Sequence, residues 1–335
     1  MNILLTSVGR RAYLVKYFKE VVGKLGQVHV CNSDDLTIAF KYADKSVISP
    51  LIYDENYIPF LIDYCKNNDI KIVVPLFDMD VLMLSKHKAE LEEIGVKVIV
   101  SDEKFVAVCN DKWKTYEFLK ENGFNVPKTY LSLEETLEAI GKGEISYPVV
   151  VKPRFGCGSL AVSMAESEEG LKYYYQRNKR ALERTYLKYE SAMVQDKIIF
   201  QEKIKGQEFG VDIINDLDKN FVNAIVKRKI AMRAGETDIS ETIENEAIFN
   251  VAKKLGTLSG HIANLDCDIF VSDDGKIYVL EMNARFGGGY PFSHMSGVDL
   301  PKAIVLWSEG QEPEKVLFQY KTGEVFYKEL VIQGR

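Results

Sequence analysis

Asp266-Cys267-Asp268-Ile269-Phe270-Val271-Ser272-Asp273-Asp274-Gly275-Lys276-Ile277-Tyr278-Val279-Leu280-Glu281-Met282-Asn283-Ala284-Arg285-Phe286-Gly287-Gly288-Gly289 contains two extended apolar runs around Asp274-Gly275. Asp-Gly between such runs is a strong hairpin signal. A two-residue turn there pairs Asp273 with Lys276. Counting outward sets Asp268 opposite Glu281 and Asp266 opposite Asn283. Alternation along each strand then turns Asp266, Asp268, Glu281, Asn283 and Arg285 to one face.

Carboxylates directly opposed at about 5 Å repel one another, so this face calls for a cation. Its candidate ligands are all oxygens, which suits a hard ion such as Mg²⁺ with water and substrate phosphates completing the shell. Arg285 on the same face is a natural phosphate partner. A solvent-facing edge hairpin with scattered acids is the competing reading of this stretch.

The 335 residues allow two or three domains, and 46% hydrophobic with 27% charged content is ordinary for a globular chain. No apolar run approaches the length of a membrane span, and Met1-Asn2 leads into Ile-Leu-Leu without a basic leader. The five cysteines (31, 65, 109, 157, 267) form no Cys-x-x-Cys pair and the four histidines are scattered. Free thiols in a cytoplasmic setting are therefore expected, and a zinc site is not. A net charge of −6 argues against a nucleic-acid partner.

The first third alternates strands with helices. Asn2–Ser7, Gln27–Asn32, Ile70–Pro75 and Val96–Val100 predict strands, and Tyr13–Val22 and Tyr57–Lys66 predict helices. The implied architecture is an open, Rossmann-like parallel sheet covered on both faces. Ligands of such sheets bind beyond the carboxyl ends of the strands, where Ser7, Gly9, Arg10, Arg11, Asp34 and the segment 75–80 fall. Only one glycine of a dinucleotide fingerprint follows the first strand, so a nicotinamide enzyme is poorly supported. Arg10 and Arg11 could hold an anionic substrate or simply carry surface charge at a helix start.

In the middle, Asn110-Asp111-Lys112 opens a helix with Asp111 as N-cap. Tyr147–Pro153 predicts a strand that ends in Lys152 and runs into Arg154-Phe155-Gly156-Cys157-Gly158-Ser159. Glycines that admit backbone N–H groups, together with a lysine, can grip polyphosphate, although an ordinary turn reads equally well. Lys172–Glu190 predicts one outer, basic helix. Ile198–Ile204 and Lys205–Ile214 predict two strands, with Glu208, Gly210 and Asp212 sharing a face. A carboxylate such as Glu208 can accept from two ribose hydroxyls. Phe221–Val226 predicts another strand, leading into the basic segment Lys227–Thr237, whose four cations near a glycine turn could line a phosphate-transfer site or simply lie on the surface.

Taken in order, these segments resemble the ATP-grasp superfamily, specifically proteins like the large subunit of carbamoyl-phosphate synthase. The resemblance spans essentially the whole chain. It rests on Asn110-Asp111-Lys112, Val151-Lys152-Pro153 with its glycine loop, Gln201-Glu202-Lys203-Ile204, Gly206-Gln207-Glu208, Arg233-Ala234-Gly235-Glu236-Thr237 and Glu281–Gly289. It implies a mixed α/β and α+β chain: a pre-ATP-grasp α/β domain over 1–108, a small lobe with the glycine loop over 109–200, and a C-terminal lobe with the metal site over 201–335.

By resemblance, Lys112 and Lys152 contact ATP phosphates, Lys152 also lies near the adenine, and the Gly156, Gly158, Ser159 loop closes over them. Glu202, Lys203 and Ile204 form the adenine-reading hinge, and Glu208 takes the ribose. Asp268, Glu281 and Asn283 correspond to the metal ligands, for two Mg²⁺ ions or Mn²⁺. Arg285, Arg233 and Lys152 take the catalytic roles. Gly9, Arg10, Arg11, Arg228, Arg233, Gly287 and Gly288 fall on the substrate side. Arg233 stands where carbamoyl-phosphate synthase has a histidine, which puts carbamoyl phosphate itself in doubt as a product. The implied chemistry is ATP-dependent activation of a small-molecule carboxylate as an acyl phosphate, followed by attack of an amine. The alternatives are a carbamoyl- or carboxy-phosphate-type synthetase and a non-catalytic ATP-binding regulator. No membrane or nucleic-acid partner is expected, and a homodimer is left open.

Overall fold

The computed structural model describes residues 1–332 and 334. Strands β1 (Asn2–Thr6), β2 (Val28–Asn32), β3 (Lys45–Ile48), β4 (Ile70–Pro75) and β5 (Lys97–Val98) form a parallel sheet in the order β3-β2-β1-β4-β5. Strands β1, β2 and β4 are almost wholly buried, which explains their unbroken apolar sequences. β3 is absent from the sequence expectation for the converse reason: Lys45-Ser46-Val47-Ile48 is an exposed edge with no apolar run. β5 shrinks to two residues of the expected 96–100.

One face of this sheet and its first helix, Ala12–Val22, pack against the far end of the chain. Leu14, Val15 and Phe18 share a core with Phe286, Tyr290, Leu300 and Ile304. The opposite face carries its own core under the helices Tyr57–Asn67 and Asp78–Lys86. The N-terminal sheet is therefore fixed directly onto the segment that follows the hairpin ending at Asn283.

A second, four-stranded sheet runs β6 (Thr129–Tyr130), β9 (Ile198–Glu202), β7 (Val149–Pro153), β8 (Ser163–Ala165) and is antiparallel. It is backed by the helix Glu168–Glu183, capped at Ser167, whose hydroxyl accepts from the Gly170 N–H. The single helix expected over Lys172–Glu190 is in fact two. The first ends at Glu183 and a short turn, Leu187–Glu190, follows. Leu171, Leu182 and Leu187 fill the core beneath them.

The third sheet is antiparallel with six strands: β14 (Ile277–Asn283), β13 (Ala263–Ser272), β10 (Gly206–Asn215), β11 (Phe221–Arg233), β12 (Glu236–Ile243) and β15 (Val325–Tyr327). The strand expected over 221–226 continues to Arg233 and turns at Ala234-Gly235, so the first half of the basic segment belongs to it. The helix Glu246–Ser259 closes one face over Val211, Ile213, Leu265 and Ile269. The other face meets the four-stranded sheet across a cleft.

Candidate functional site

The β13–β14 hairpin carries the cleft floor. Asp268 pairs with Glu281 and Asp266 with Asn283. Two irregularities offset each other to produce this register. The turn holds three residues, not two: the Ser272 N–H donates to the Lys276 carbonyl at 2.9 Å, the Gly275 N–H donates to the Ser272 carbonyl at 2.8 Å, and Gly275 takes φ +80°. Ile269 then faces Val279, and a bulge at Leu280 restores the pairing by Asp268. The bulge also re-aims side chains. Val279 and Met282 both enter the core, while Leu280 and Glu281 both line the cleft.

Between the two sheets lies a cavity of about 430 Å³, within the size range of nucleotide and cofactor sites. Val150, Phe155, Ile204, Phe270 and Leu280 supply its apolar walls. Lys112, Lys152, Glu202, Lys203, Glu208, Asp268, Glu281 and the loop Gly156, Gly158, Ser159 line it too. Every residue expected to contact the nucleotide thus falls on one cavity.

The lysines are held individually. Lys152 is 5% exposed, and its ammonium donates to Gln201 Oε1 at 2.8 Å. Burial, against the pull of Glu281, brings the Lys152 ammonium down to about 8, and Lys112 adds to the lowering. Lys112 donates to the Gly156 carbonyl and stands 3.7 Å from Glu281. Asp111 caps its helix by accepting from the Trp113 N–H at 3.0 Å, and also takes both arms of Arg154 at 2.7 Å. That bidentate pair ties the glycine loop to the Lys112 helix.

Gly235, at the β11–β12 turn, approaches the same loop. A Cβ there would lie 2.6 Å from the Gly158 carbonyl oxygen, and its φ is +80°. No L side chain fits both demands.

A second cavity, of about 170 Å³, opens beside the first. Asp266, Asp268, Glu281, Asn283 and Arg285 all line it, together with Arg11, Lys227, Lys229, Gly288 and Gly289. The five hairpin residues expected to share a face do so. Arg285 is 8% exposed. Asp78 grips it in two hydrogen bonds, and Asp266 lies 3.6 Å away. Burial raises the Asp266 carboxyl well above its usual range, with Asp268 adding and Arg285 opposing. A Cβ on Gly287 would fall 2.2 Å from the Asp266 carboxyl carbon, so Gly287 serves by leaving room for that carboxylate.

Other expected residues do not reach the cavities. Arg228 points to the opposite face of β11 and pairs with Glu241. Arg233 is taken by Asp238 and the Lys328 carbonyl. Strand alternation, with irregularities between Lys229 and Met232, sends Lys227, Lys229 and Met232 into the cleft and these two arginines away. Arg10 is 86% exposed and 3.7 Å from Glu236 at the rim. Gly9 is not part of the lining; its N–H donates to Asn32 Oδ1 at 3.3 Å.

Four residues lie in segments the sequence singled out but had no individual role there. Gln201 holds Lys152 and donates its amide to Thr129 at 2.9 Å. Lys229 stands between Glu208 and Asp268, 2.6 Å from each; burial would lower its ammonium, but the two carboxylates hold it above the usual lysine value. Asp78 holds Arg285. Lys227 is buried against Asp212 and Ser293.

The family follows from this architecture. Residues 3–99 match the PylC-like N-terminal domain, and residues 109–289 match the ATP-grasp domain. The chain belongs to the ATP-grasp family. It is 26% identical over 231 residues to a carbamoyl-phosphate synthase of Methanobrevibacter smithii, covering 66% of this chain and 59% of that one. It is 23% identical over 313 residues to the carbamoyl phosphate synthase large chain of Pseudothermotoga lettingae, covering 88% of this chain and 26% of that one. The chain therefore spans less than two thirds of the length of these relatives.

Among solved structures, the biotin carboxylase domain dimer of Hydrogenobacter thermophilus 2-oxoglutarate carboxylase, in complex with MgADP, ADP and bicarbonate, superposes with a TM-score of 0.75 at 16% identity. The match covers 96% of this chain and 73% of that one. The L-amino acid ligase of Bacillus licheniformis superposes with a TM-score of 0.69 at 18% identity, covering 91% and 74%.

Proposed function

We propose that this protein is an ATP-dependent carboxylate–amine ligase that activates a carboxylate as an acyl phosphate and releases ADP and phosphate. The observation that carries the reading is the placement of Asp268 opposite Glu281 on the floor shared by two adjoining cavities. One cavity has the size and lining for a nucleotide. The other has the charge for a phosphoryl acceptor. In this reading 1–108, 109–200 and 201–335 are the working divisions of the chain.

The donor set suits a hard cation. Asp268, Glu281 and Asn283 offer only oxygen, and the cations now nearest the two carboxylates are lysine ammonium groups. These three residues would hold Mg²⁺, two ions in the full complex, with Mn²⁺ able to replace it. The metal supplies charge neutralisation on the phosphate chain when bound.

The chain's own residues supply positioning. Phosphoryl transfer needs neutralisation of spread charge more than a covalent nucleophile. Lys112 and Lys152 meet the phosphates from the small-lobe side. Val150, Leu280 and Phe270 flank the adenine beside the Glu202–Ile204 hinge, and Glu208 accepts from the ribose. Arg285, oriented by Asp78, faces the transferred group, with Arg11 and Gly288 on the acceptor side. The glycine loop, held against Gly235, excludes water from the acyl phosphate.

ADP release in the presence of Mg²⁺, over pools of amines and carboxylates, tests this directly. Release should rise only when the right amine and carboxylate are present together, and the product mass names both. Turnover with bicarbonate alone would instead support a carbamoyl- or carboxy-phosphate-type synthetase; the sequence relatives are named as carbamoyl-phosphate synthases. ATP binding without turnover under any mixture would support a regulator.

A further inference from the structure

Lys229 lines both cavities, and among the described residues no other lysine or arginine does. Its side chain is 9% exposed, and its ammonium lies 2.6 Å from Glu208 and 2.6 Å from Asp268. Those carboxylates belong to different jobs in the nucleotide reading, the ribose for Glu208 and the metal for Asp268. The stem of Lys229 runs over Gly210, where a Cβ would come within 3.3 Å of Lys229 Cε. The strand beneath thus leaves room for this side chain, with the Lys227 stem a little farther off at 3.9 Å. Two of the other cations of the second cavity are held by neighbours: Lys227 by Asp212, Ser293 and the Gly289 carbonyl, and Arg285 by Asp78, while Arg11 completes its lining.

We propose that Lys229 is an exchangeable internal cation that holds the empty cleft and is displaced only when metal and nucleotide together claim both of its partners. A divalent ion alone must compete with the ammonium for Asp268 while Glu208 still anchors it. A nucleoside diphosphate alone must compete for Glu208 while Asp268 anchors it. The two together remove both anchors, so metal and nucleotide bind with positive coupling through Lys229. The freed ammonium remains beside the second cavity, which gains a cation only after the first is loaded. This inference rests on the nucleotide reading of the first cavity.

The test is a Mn²⁺ titration, followed by the electron paramagnetic resonance signal of the free ion, with and without ADP. It compares the wild type with Lys229→Met, Lys229→Gln and Lys229→Arg, each checked by thermal melting. The wild type should bind Mn²⁺ weakly alone and more tightly with ADP. Both neutral variants should bind Mn²⁺ alone about tenfold more tightly than wild type and lose about the same factor of ADP enhancement, within the usual range of site coupling. Lys229→Arg should behave as wild type. If ADP binds normally but neither neutral variant gains Mn²⁺ affinity, this inference is overturned alone. If ADP fails to bind the wild type, the nucleotide reading falls and takes the inference with it. Loss of a cooperative melt in both neutral variants, with Lys229→Arg intact, would make the cation a requirement of the fold and contradict an exchangeable role.

Discussion

Asp78 holds Arg285 by two hydrogen bonds, 2.8 Å to Nε and 3.0 Å to Nη2, across 207 residues of chain. Asp78 opens the helix that follows β4, at the carboxyl end of the parallel sheet where such sheets place their ligands. Arg285 ends the metal-type hairpin. Burial would raise the Asp78 carboxyl, but Arg285 holds it below the usual range. Asp78→Asn leaves a buried guanidinium with only the more distant Asp266 as a carboxylate partner. We expect a loss of about 3 kcal/mol in unfolding free energy, and a fall in turnover of about 100-fold from misplacement of Arg285. Denaturant unfolding and steady-state rates check the two effects separately.

Lys152 makes nucleotide binding depend on pH. Its ammonium titrates near 8 in the folded protein, against an ordinary 10.5. Above pH 8 the free site loses a positive charge facing the phosphates, so ADP affinity should fall by up to about tenfold per pH unit. Stability moves the other way. Between about 8 and 10.5 the unfolded chain binds more protons at this position than the folded one, so the contribution of Lys152 to stability rises with pH. Calorimetric ADP titrations from pH 7 to 9.5 should show the fall in wild type and its absence in Lys152→Met.

Gly287→Ala should damage the site without touching a ligand-contacting group. The added Cβ would overlap the Asp266 carboxylate, and overpacking of this kind costs about 1–3 kcal/mol. Melting temperature should drop and turnover should fall with it. Gly141→Ala serves as the control, since a Cβ there meets nothing within 4 Å.

Arg228→Ala and Arg233→Ala should keep wild-type turnover within about twofold, because their guanidinium groups pair with Glu241 and Asp238 outside both cavities. Their stability effects should stay below about 1 kcal/mol, as for exposed ion pairs. Michaelis constants for both substrates, measured on the two variants, check this.

The contrast between these arginines and the hairpin acids shows what was legible in the sequence. Period-two counting from Asp274-Gly275 reached the Asp268–Glu281 pairing because a longer turn and a bulge at Leu280 offset one another. Gly275 in the left-handed region suits the third position of a three-residue turn, whereas nothing at Leu280 marks a bulge. The expected strand over 221–226 stops short of the basic segment. β11 instead continues to Arg233, and alternation divides its cations between two faces. Lys229 could have been found by extending the strand that far. Asp78 fell in the strand-end segment 75–80, but its pairing with Arg285 could not be read, since only tertiary packing brings the two together. The parallel sheet was visible in its buried strands and invisible at its polar edge, β3.

The central claim is that Asp268 and Glu281 together serve a metal-bound nucleotide. Measuring ADP release by Glu281→Gln beside wild type, with Mg²⁺ and the matched substrate pair, tests it most directly. We predict a loss of at least about 100-fold with an unchanged thermal melt. Turnover at the wild-type rate in that variant would contradict the account.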